Sequence, residues 1–278
     1  MRNKRSFNSV FVYCLLLGMS LIFLIPLWMM LAGSFKPDDQ VLLEAGTLRG
    51  YFPANMSMQN YHDVFSRVPF VRYLLNSMLI TSMIVVSGLL VNSLAGYALA
   101  RLRWSGRDWI LLVVIALMII PLEAIAVPLF YEVTLLGWRD TYLVQIVPFI
   151  ANAFSIYLFY TFFLALPREL EEAARIDGAG PWRIFFNIVV PNAKPVFATV
   201  AILTFLTQWG SFLWPLMVTH SEDVRPLPLG IAAFYTLPPL QWGDIFSFGA
   251  MMVSPVLVVF IAFQQWFVKG VATTGVKG

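Results

Sequence analysis

Long apolar runs separated by short polar segments set the pattern of this chain. Six runs stand out, at residues 10–31, 73–100, 109–130, 142–164, 196–218 and 245–268. Each approaches or exceeds the roughly 20 residues that carry a helix across a bilayer core. In lipid a lone segment satisfies its backbone polar groups only by coiling into a helix. The pattern therefore predicts an all-α integral membrane protein, six transmembrane helices in a single domain over residues 1–278. The run 73–100 is longer than a span requires, so it tilts or emerges into water at one end.

Composition sharpens this. Of the 278 residues, 59% are hydrophobic and 12% charged, about half the charge of an ordinary soluble domain. The net charge of +3 needs no nucleic acid to explain it. Lys and Arg gather near span ends: with the N-terminus in the cytoplasm, twelve of the 18 fall in inside segments, among them Arg101, Arg103, Arg107, Arg168, Arg175 and Arg183. That asymmetry places both termini and the segment 166–195 in the cytoplasm. Arg2, Lys4 and Arg5 ahead of the first run imitate a signal peptide, but the run outlasts the roughly 7–15 apolar residues of one, so it reads as a retained span.

Chemistry-bearing residues are sparse. Cys14 stands alone in the first run, and His62 and His220 fall far apart in predicted loops, as solvated side chains do. No metal set, nucleophile elbow or paired-carboxylate site is visible, so no catalytic residue is assigned. The phosphate-cradling pattern G-x-x-x-x-G-K-[ST] is missing, which implies no nucleotide cofactor in this chain.

Residues 166–195 carry the most information. Pro167 suits the first turn of a helix, good helix formers run from Arg168 to Ile176, and Glu169, Glu171 and Glu172 crowd the end where the helix dipole favours negative charge. Leu170, Ala173, Ala174 and Asp177 share one face by their three-and-four spacing. Two small alanines there would admit close approach by another protein. Gly178, Gly180 and Pro181 end the helix, and a second apolar segment, 182–190, is expected to stop at Pro191.

This segment resembles the cytoplasmic loop of ABC importer permeases: Glu-Ala-Ala, three residues, Gly, nine residues, Ile, any residue, Leu, Pro. Glu172-Ala173-Ala174, Gly178, Ile188 and Pro191 fall in register, with Val190 in place of Leu. Further matches resemble the smaller, six-span permease of the maltose-type carbohydrate-uptake family. They are Ser34-Phe35-Lys36-Pro37, Asn60-Tyr61, Asn76-Ser77, Tyr97-Ala98-Leu99-Ala100-Arg101, Leu136-Gly137-Trp138-Arg139-Asp140-Thr141 and Trp214-Pro215-Leu216. The tail 269–278, with Lys269, Gly270, Lys277 and Gly278, is similar to the end of that subunit, where the tail reaches between the ATPases. The resemblance implies a prokaryotic inner-membrane permease for a sugar or sugar-like polyol. Its implied partners are a second permease, two ATPase subunits that hold ATP and Mg, an extracytoplasmic binding protein and membrane lipid. It also implies that Glu172 pairs with a basic residue of the ATPase and that Gly178 supplies the turn.

Glu123 is the ionisable side chain that stands out within a span, between Pro121 and Pro128; such residues face a cavity or a partner. Gln208, Trp209, Ser211 and Trp214 mix polar and aromatic groups as sugar contacts do, although Gly210 stands where the family often has Asn. Asn92, Ser93 and Asn152 suit interhelical hydrogen bonding better than substrate contact. The rival reading, an ion-coupled secondary transporter, needs midplane carboxylates in repeated halves; this chain offers Glu123 and no visible repeat.

Overall fold

The computed structural model describes the backbone of residues 2–275 and the side chains of residues 11–263. Among the described residues the regular structure is helical, without a strand. Four helices are long and apolar enough to cross a membrane: Phe11–Ser34, Phe70–Arg101, Tyr142–Ala165 and Trp242–Phe263. Two bent pairs, Arg107–Leu117 with Leu122–Leu135 and Pro181–Asn192 with Lys194–Trp209, raise the number to six if each is one span.

Three expected spans are not single rods. The run 109–130 breaks after Leu117 and turns by 106° before Leu122. Pro121 explains it, since proline has no N–H for the helix and biases the residue before it toward extended backbone. Pro121 itself is extended (φ −73, ψ 151) and precedes the next helix. The run 196–218 divides into Lys194–Trp209 and Leu213–Val218, with Gly210 ending the first piece. A short apolar helix, Leu227–Thr236, lies outside the six expected spans; Pro228 falls in its first turn, where a missing N–H costs nothing.

The Tyr142–Ala165 span also contains a break, at Ala151 and Asn152. Buried Asn92 repairs it: its Nδ2 donates to Ile150 O at 3.0 Å and its Oδ1 accepts the Asn152 N–H at 2.9 Å. Asn152 Oδ1 then caps the following helix through the Ser155 N–H. Exposed backbone groups are costly in lipid; Asn92 thus bonds between helices as expected, whereas the Asn152 side chain caps its own helix.

The chain divides into two compact units, one running up to Val71 together with Gly230–Pro255, the other comprising Arg72–Leu229 with the chain from Val256 onward. In the first unit, buried Lys36 donates to Glu44 Oε2 at 2.9 Å and to the Arg49 carbonyl. Asn60 Nδ2 donates to Ser34 O at 2.9 Å and Lys36 O at 2.7 Å. A Cβ on Gly243 would lie 2.5 Å from Asn60 Nδ2, so only glycine lets the last long helix pass this close. Arg67 holds Asp244 at 2.6 Å and also donates to the Leu237 and Pro239 carbonyls. His62, expected in a loop, lies instead on the Gln59–Arg67 helix with its ring exposed.

In the second unit the Phe70–Arg101 helix meets Ala153–Ala165 at Gly96, where a Cβ would sit 2.6 Å from Phe159 Cβ and 2.9 Å from the Tyr160 nitrogen. That contact leads directly to the segment between residues 166 and 195.

Candidate functional site

Residues 169–192 fold as two helical pieces around one tight turn. Glu169–Ile176 carries Glu169, Glu171 and Glu172 in its first turn and Arg175 in its last, charges placed to suit the helix dipole. Gly178 turns with φ +79, a left-handed conformation that glycine adopts without a Cβ penalty. Its N–H reaches Arg175 O at 3.0 Å and the Ala179 N–H reaches Ala174 O at 2.9 Å, satisfying carbonyls that the helix end leaves open. Pro181 then begins Pro181–Ile184.

The second piece does not stop at Pro191. It widens to a π-turn over Phe185–Val189 and continues as Val190–Asn192. An α-helical proline would collide with the carbonyl four residues back; the widened turn ahead of Pro191 shifts that register, so the chain stays helical through it.

The underside of this knuckle is fastened to the unit's core. Ile184, Phe185 and Val189 are buried with Tyr97, Ala100, Phe159, Phe163 and Val200. Tyr97 lies 5.1 Å from the Phe185 ring and 6.0 Å, edge-on, from Phe163. Each fully buried side chain of this size contributes about 1.5–3 kcal/mol, so the second helical piece is held as part of the bundle.

The first piece is held by charge. Glu171 is 5% exposed; its Oε1 lies 3.2 Å from Arg101 Nε, and its Oε2 accepts from Tyr97 Oη and from Arg175, both at 3.3 Å. The Arg101 contact is Coulombic, because Nε meets no aligned acceptor, while another guanidinium nitrogen of Arg101 donates to the Leu166 carbonyl. The sequence pointed to Glu172, whereas Glu171 makes this bracket. Two signals were present: Arg175 lies four residues on, and Arg101 closes the preceding Tyr97-Ala98-Leu99-Ala100-Arg101 stretch.

The other face is open. Glu172, Ala173, Asp177, Gly178 and Pro191 are exposed, and Ala174 and Ile188 half-buried. Ile176 is 86% exposed, and Leu170, Trp182 and Phe186 are also uncovered. The rings of Trp182 and Phe186 stack at 6.2 Å. Uncovered aromatic and aliphatic side chains beside a carboxylate, on a rigidly held helix, form a surface suited to a protein partner.

Gln208 and Ser211 come together with Ser77, Thr81, Gln145 and Trp214 around a narrow crevice. It encloses about 10 Å³, room for about one water. Gln145 donates to Val224 O at 2.8 Å, and its Oε1 is buried without a partner. Trp214 donates to Val144 O at 2.9 Å. Trp209 does not line the crevice; it is buried and stacks on Phe205 at 5.4 Å. Glu123 is not there either: it is exposed, in the first turn of Leu122–Leu135 beside the Pro121 break.

At one border of the same unit Asp140, with φ 58, gathers the chain after Val218. Its Oδ1 accepts the backbone N–H groups of His220 at 2.8 Å and Ser221 at 2.9 Å, and its own N–H donates to Val218 O. Burial alone would raise the carboxyl's pKa, but these bonds, first from Ser221 and then from His220, outweigh it and leave it below the usual carboxylate range. Exposed His220 sets its ring against the Arg139 guanidinium.

Lys269 and Gly270 continue the Trp242–Gly275 helix as backbone; Lys277 and Gly278 lie outside the described residues. Among the described residues no group of three or more His, Cys, Asp or Glu is placed to hold a metal ion.

The family described as "binding-protein-dependent transport system inner membrane component" matches residues 92–273. The chain is 34% identical to the arabinooligosaccharides transport system permease protein AraQ of Bacillus subtilis (strain 168), over 94% of this chain and 92% of that one. It is 30% identical to the sn-glycerol-3-phosphate transport system permease protein UgpE of Yersinia pestis bv. Antiqua, over 96% and 97%. A chain in the crystal structure of a bacterial ABC transporter involved in the import of the acidic polysaccharide alginate superposes with a TM-score of 0.83 at 25% identity, over 96% of this chain and 98% of that one.

Proposed function

Because the chain belongs to the family of binding-protein-dependent transport system inner membrane components, we propose that it is the permease subunit of an ATP-driven importer for a sugar or sugar-like polyol. Membership sets aside the ion-coupled alternative and any enzymatic role. The cargo class rests on relatives named for arabinooligosaccharide and glycerol-3-phosphate transport and on the alginate importer.

One observation carries the mechanism: a knuckle fixed beneath by Glu171, Phe185 and Val189 presents a bare face around Glu172. A rigid body gripped on that face moves the bundle it is bolted to. In this reading two cytoplasmic ATPase subunits bind ATP and Mg, one of them receives Glu172, Ala173, Ala174 and Asp177, and Gly178 keeps the two helical pieces at a fixed angle. Half-buried Ile188 helps seat the second piece, and exposed Pro191 lies on the face open to the ATPase. The Lys and Arg distribution puts the knuckle and both termini in the cytoplasm, and the tail through Lys269, Gly270, Lys277 and Gly278 reaches toward the ATPases. A second, related permease completes the path, and an extracytoplasmic binding protein delivers cargo.

Gln208 and Ser211, with Gln145 and Thr81, form the polar lining that cargo hydroxyls meet. Trp209 braces that wall from behind through Phe205. The crevice is closed to a sugar in this conformation, since ligand sites need about 300 Å³ or more; alternating access opens it. Glu123 belongs to the path or to the partner permease's side of it, at a break that leaves backbone carbonyls free.

Glu172→Lys tests the grip. A like charge placed opposite a basic groove costs several kcal/mol, so ATPase retention on the purified subunit should fall by roughly tenfold or more, with uptake lost and membrane insertion unchanged. Normal uptake in that variant would remove the docking role.

A further inference from the structure

Two clefts open side by side at the foot of the second unit and share Arg103. The first, about 440 Å³, is walled by Arg101, Arg103, Arg168 and Arg175 against Glu171 and Glu172. The second, about 530 Å³, is formed by residues 103–109, among them Trp104, Trp109 and Arg107, whose Nε donates to Asp108 at 3.2 Å. Glu171 is already committed to Arg101 and Arg175. Among the described residues no hydrogen bond or ion pair engages the guanidinium groups of Arg103 and Arg168.

The position matters as much as the charge. The Phe70–Arg101 helix ends at this site, the Tyr142–Ala165 span ends beside it, and Arg107–Leu117 begins from it. Arg101 hydrogen-bonds the Leu166 carbonyl, so the ends of the first two elements are joined here. Trp104 and Trp109 are 42% and 72% exposed, with Ile110 and Val113 uncovered further along the same helix. Exposed indoles at the ends of apolar helices sit at headgroup depth, and basic pockets between spans at that depth bind anionic headgroups. Guanidinium groups match phosphate oxygens in paired hydrogen bonds.

We propose that the paired clefts around Arg103 bind the phosphate group of an anionic phospholipid, its acyl chains running along Trp109, Ile110 and Val113. Arg103 and Arg168 hold the phosphate, and Trp104 and Trp109 flank it. Arg175, Glu171 and Glu172 line the same cleft as the lipid. Occupancy therefore ties the knuckle to the span ends, and the membrane's anionic content sets how firmly the knuckle is held. The effect on coupling rests on the reading of the knuckle given above; the binding of lipid does not.

The test uses the whole importer, native or carrying Arg103→Gln and Arg168→Gln together. It is reconstituted in phosphatidylcholine vesicles or in vesicles of equal parts phosphatidylcholine and cardiolipin. Retained lipid is counted by native mass spectrometry, and transport-linked ATP hydrolysis is measured alongside. Cardiolipin should raise hydrolysis several-fold in the native assembly, and the double variant should lose most of that rise together with the retained lipid. Equal lipid retention and equal stimulation in both would overturn the proposal. So would full stimulation of the native assembly by inorganic phosphate in phosphatidylcholine vesicles, which would make the clefts a site for free anions. Loss of ATPase subunits with cardiolipin still retained would also overturn it, assigning the two arginines to a protein partner. Lipid retention is scored without reference to coupling, so it stands even where Glu172→Lys leaves uptake normal.

Discussion

Near its start, within the second unit, the Phe70–Arg101 helix holds irregular chain largely through that chain's backbone groups, with Arg72–Asp223 and Tyr73–Glu222 contacts beside them, whereas near its end it holds a helix largely through side chains. Asn76 Nδ2 donates to the carbonyls of Asp223 and Arg225, both at 2.9 Å, its Oδ1 accepts from Tyr142 Oη at 2.7 Å, and Ser77 Oγ accepts the Leu227 N–H at 2.7 Å. At the other end Glu171 meets Arg101, Tyr97 and Arg175. The first arrangement supplies partners to a loop that has no ladder of its own and so fixes its shape. The second holds a preformed helix from beneath and leaves its outer face bare. The loop is thus held mostly by its backbone and the helix mostly by its side chains, with the outer face of that helix left bare.

The largest effect should come from the charged bracket. Glu171→Ala strips the carboxylate from between Arg101 and Arg175, and the Arg101 side chain is 3% exposed. Removing one partner of a buried ion pair costs about 3–5 kcal/mol, so thermal unfolding of the detergent-solubilised subunit should shift clearly downward. Transported cargo per ATP should fall in variant assemblies that survive. Glu172→Ala, on the bare side, should leave unfolding unchanged. If the two variants unfold alike, the distinction between the bracketed and the bare face fails.

A smaller loss is expected at the other end. Asn76→Ala removes three hydrogen bonds of about 0.5–1.5 kcal/mol each, for a destabilisation of about 2–3 kcal/mol. Because the loop it shapes is not the surface proposed to meet the ATPase, cargo moved per ATP should stay at the native ratio even as protein yield drops. An uncoupled Asn76→Ala importer would show that both ends of the helix transmit motion, and the contrast would have to be abandoned.

Much of the knuckle was legible because its signals are local. Gly178 with Gly180 and Pro181, and three glutamates at a helix start, write a helix and a turn within a dozen residues. The long apolar runs likewise announced spans ending near Ser34 and Arg101. Glu171 was hidden because its burial is decided by Arg101, 70 positions earlier, while Arg175, four residues from Glu171 and three from Glu172, is spaced to pair with either. The break at Pro121 was misread because the apolar run continues across it, and hydropathy is blind to the missing N–H. Leu227–Thr236 carried no clear helix signal, because prolines near a helix start look like loop prolines until the turn they begin is seen. The crevice joins Ser77, Gln145 and Gln208 from distant elements, so the polar and aromatic mix of one span brought forward Gln208, Ser211 and Trp214 but not Ser77 or Gln145.

The smallest expected effect concerns Asp140, which binds backbone as Asn76 does but through a charge. Its folded pKa lies below the ordinary carboxylate value because the Ser221 and His220 N–H groups hold the ionised form against the opposing effect of burial. A depressed pKa adds stability above the unfolded carboxylate value, about 3.9, and that stability is lost as pH falls through the lower folded value. Asp140→Asn keeps an acceptor for both N–H groups and tolerates the left-handed backbone, but it does not titrate. Native protein should therefore lose its advantage over this variant only below about pH 4, with the two unfolding curves keeping a constant offset from pH 5 to 7. Unfolding temperatures followed across that range measure it. An offset that instead changes between pH 5 and 7 would show that the Asp140 carboxylate does not control this end.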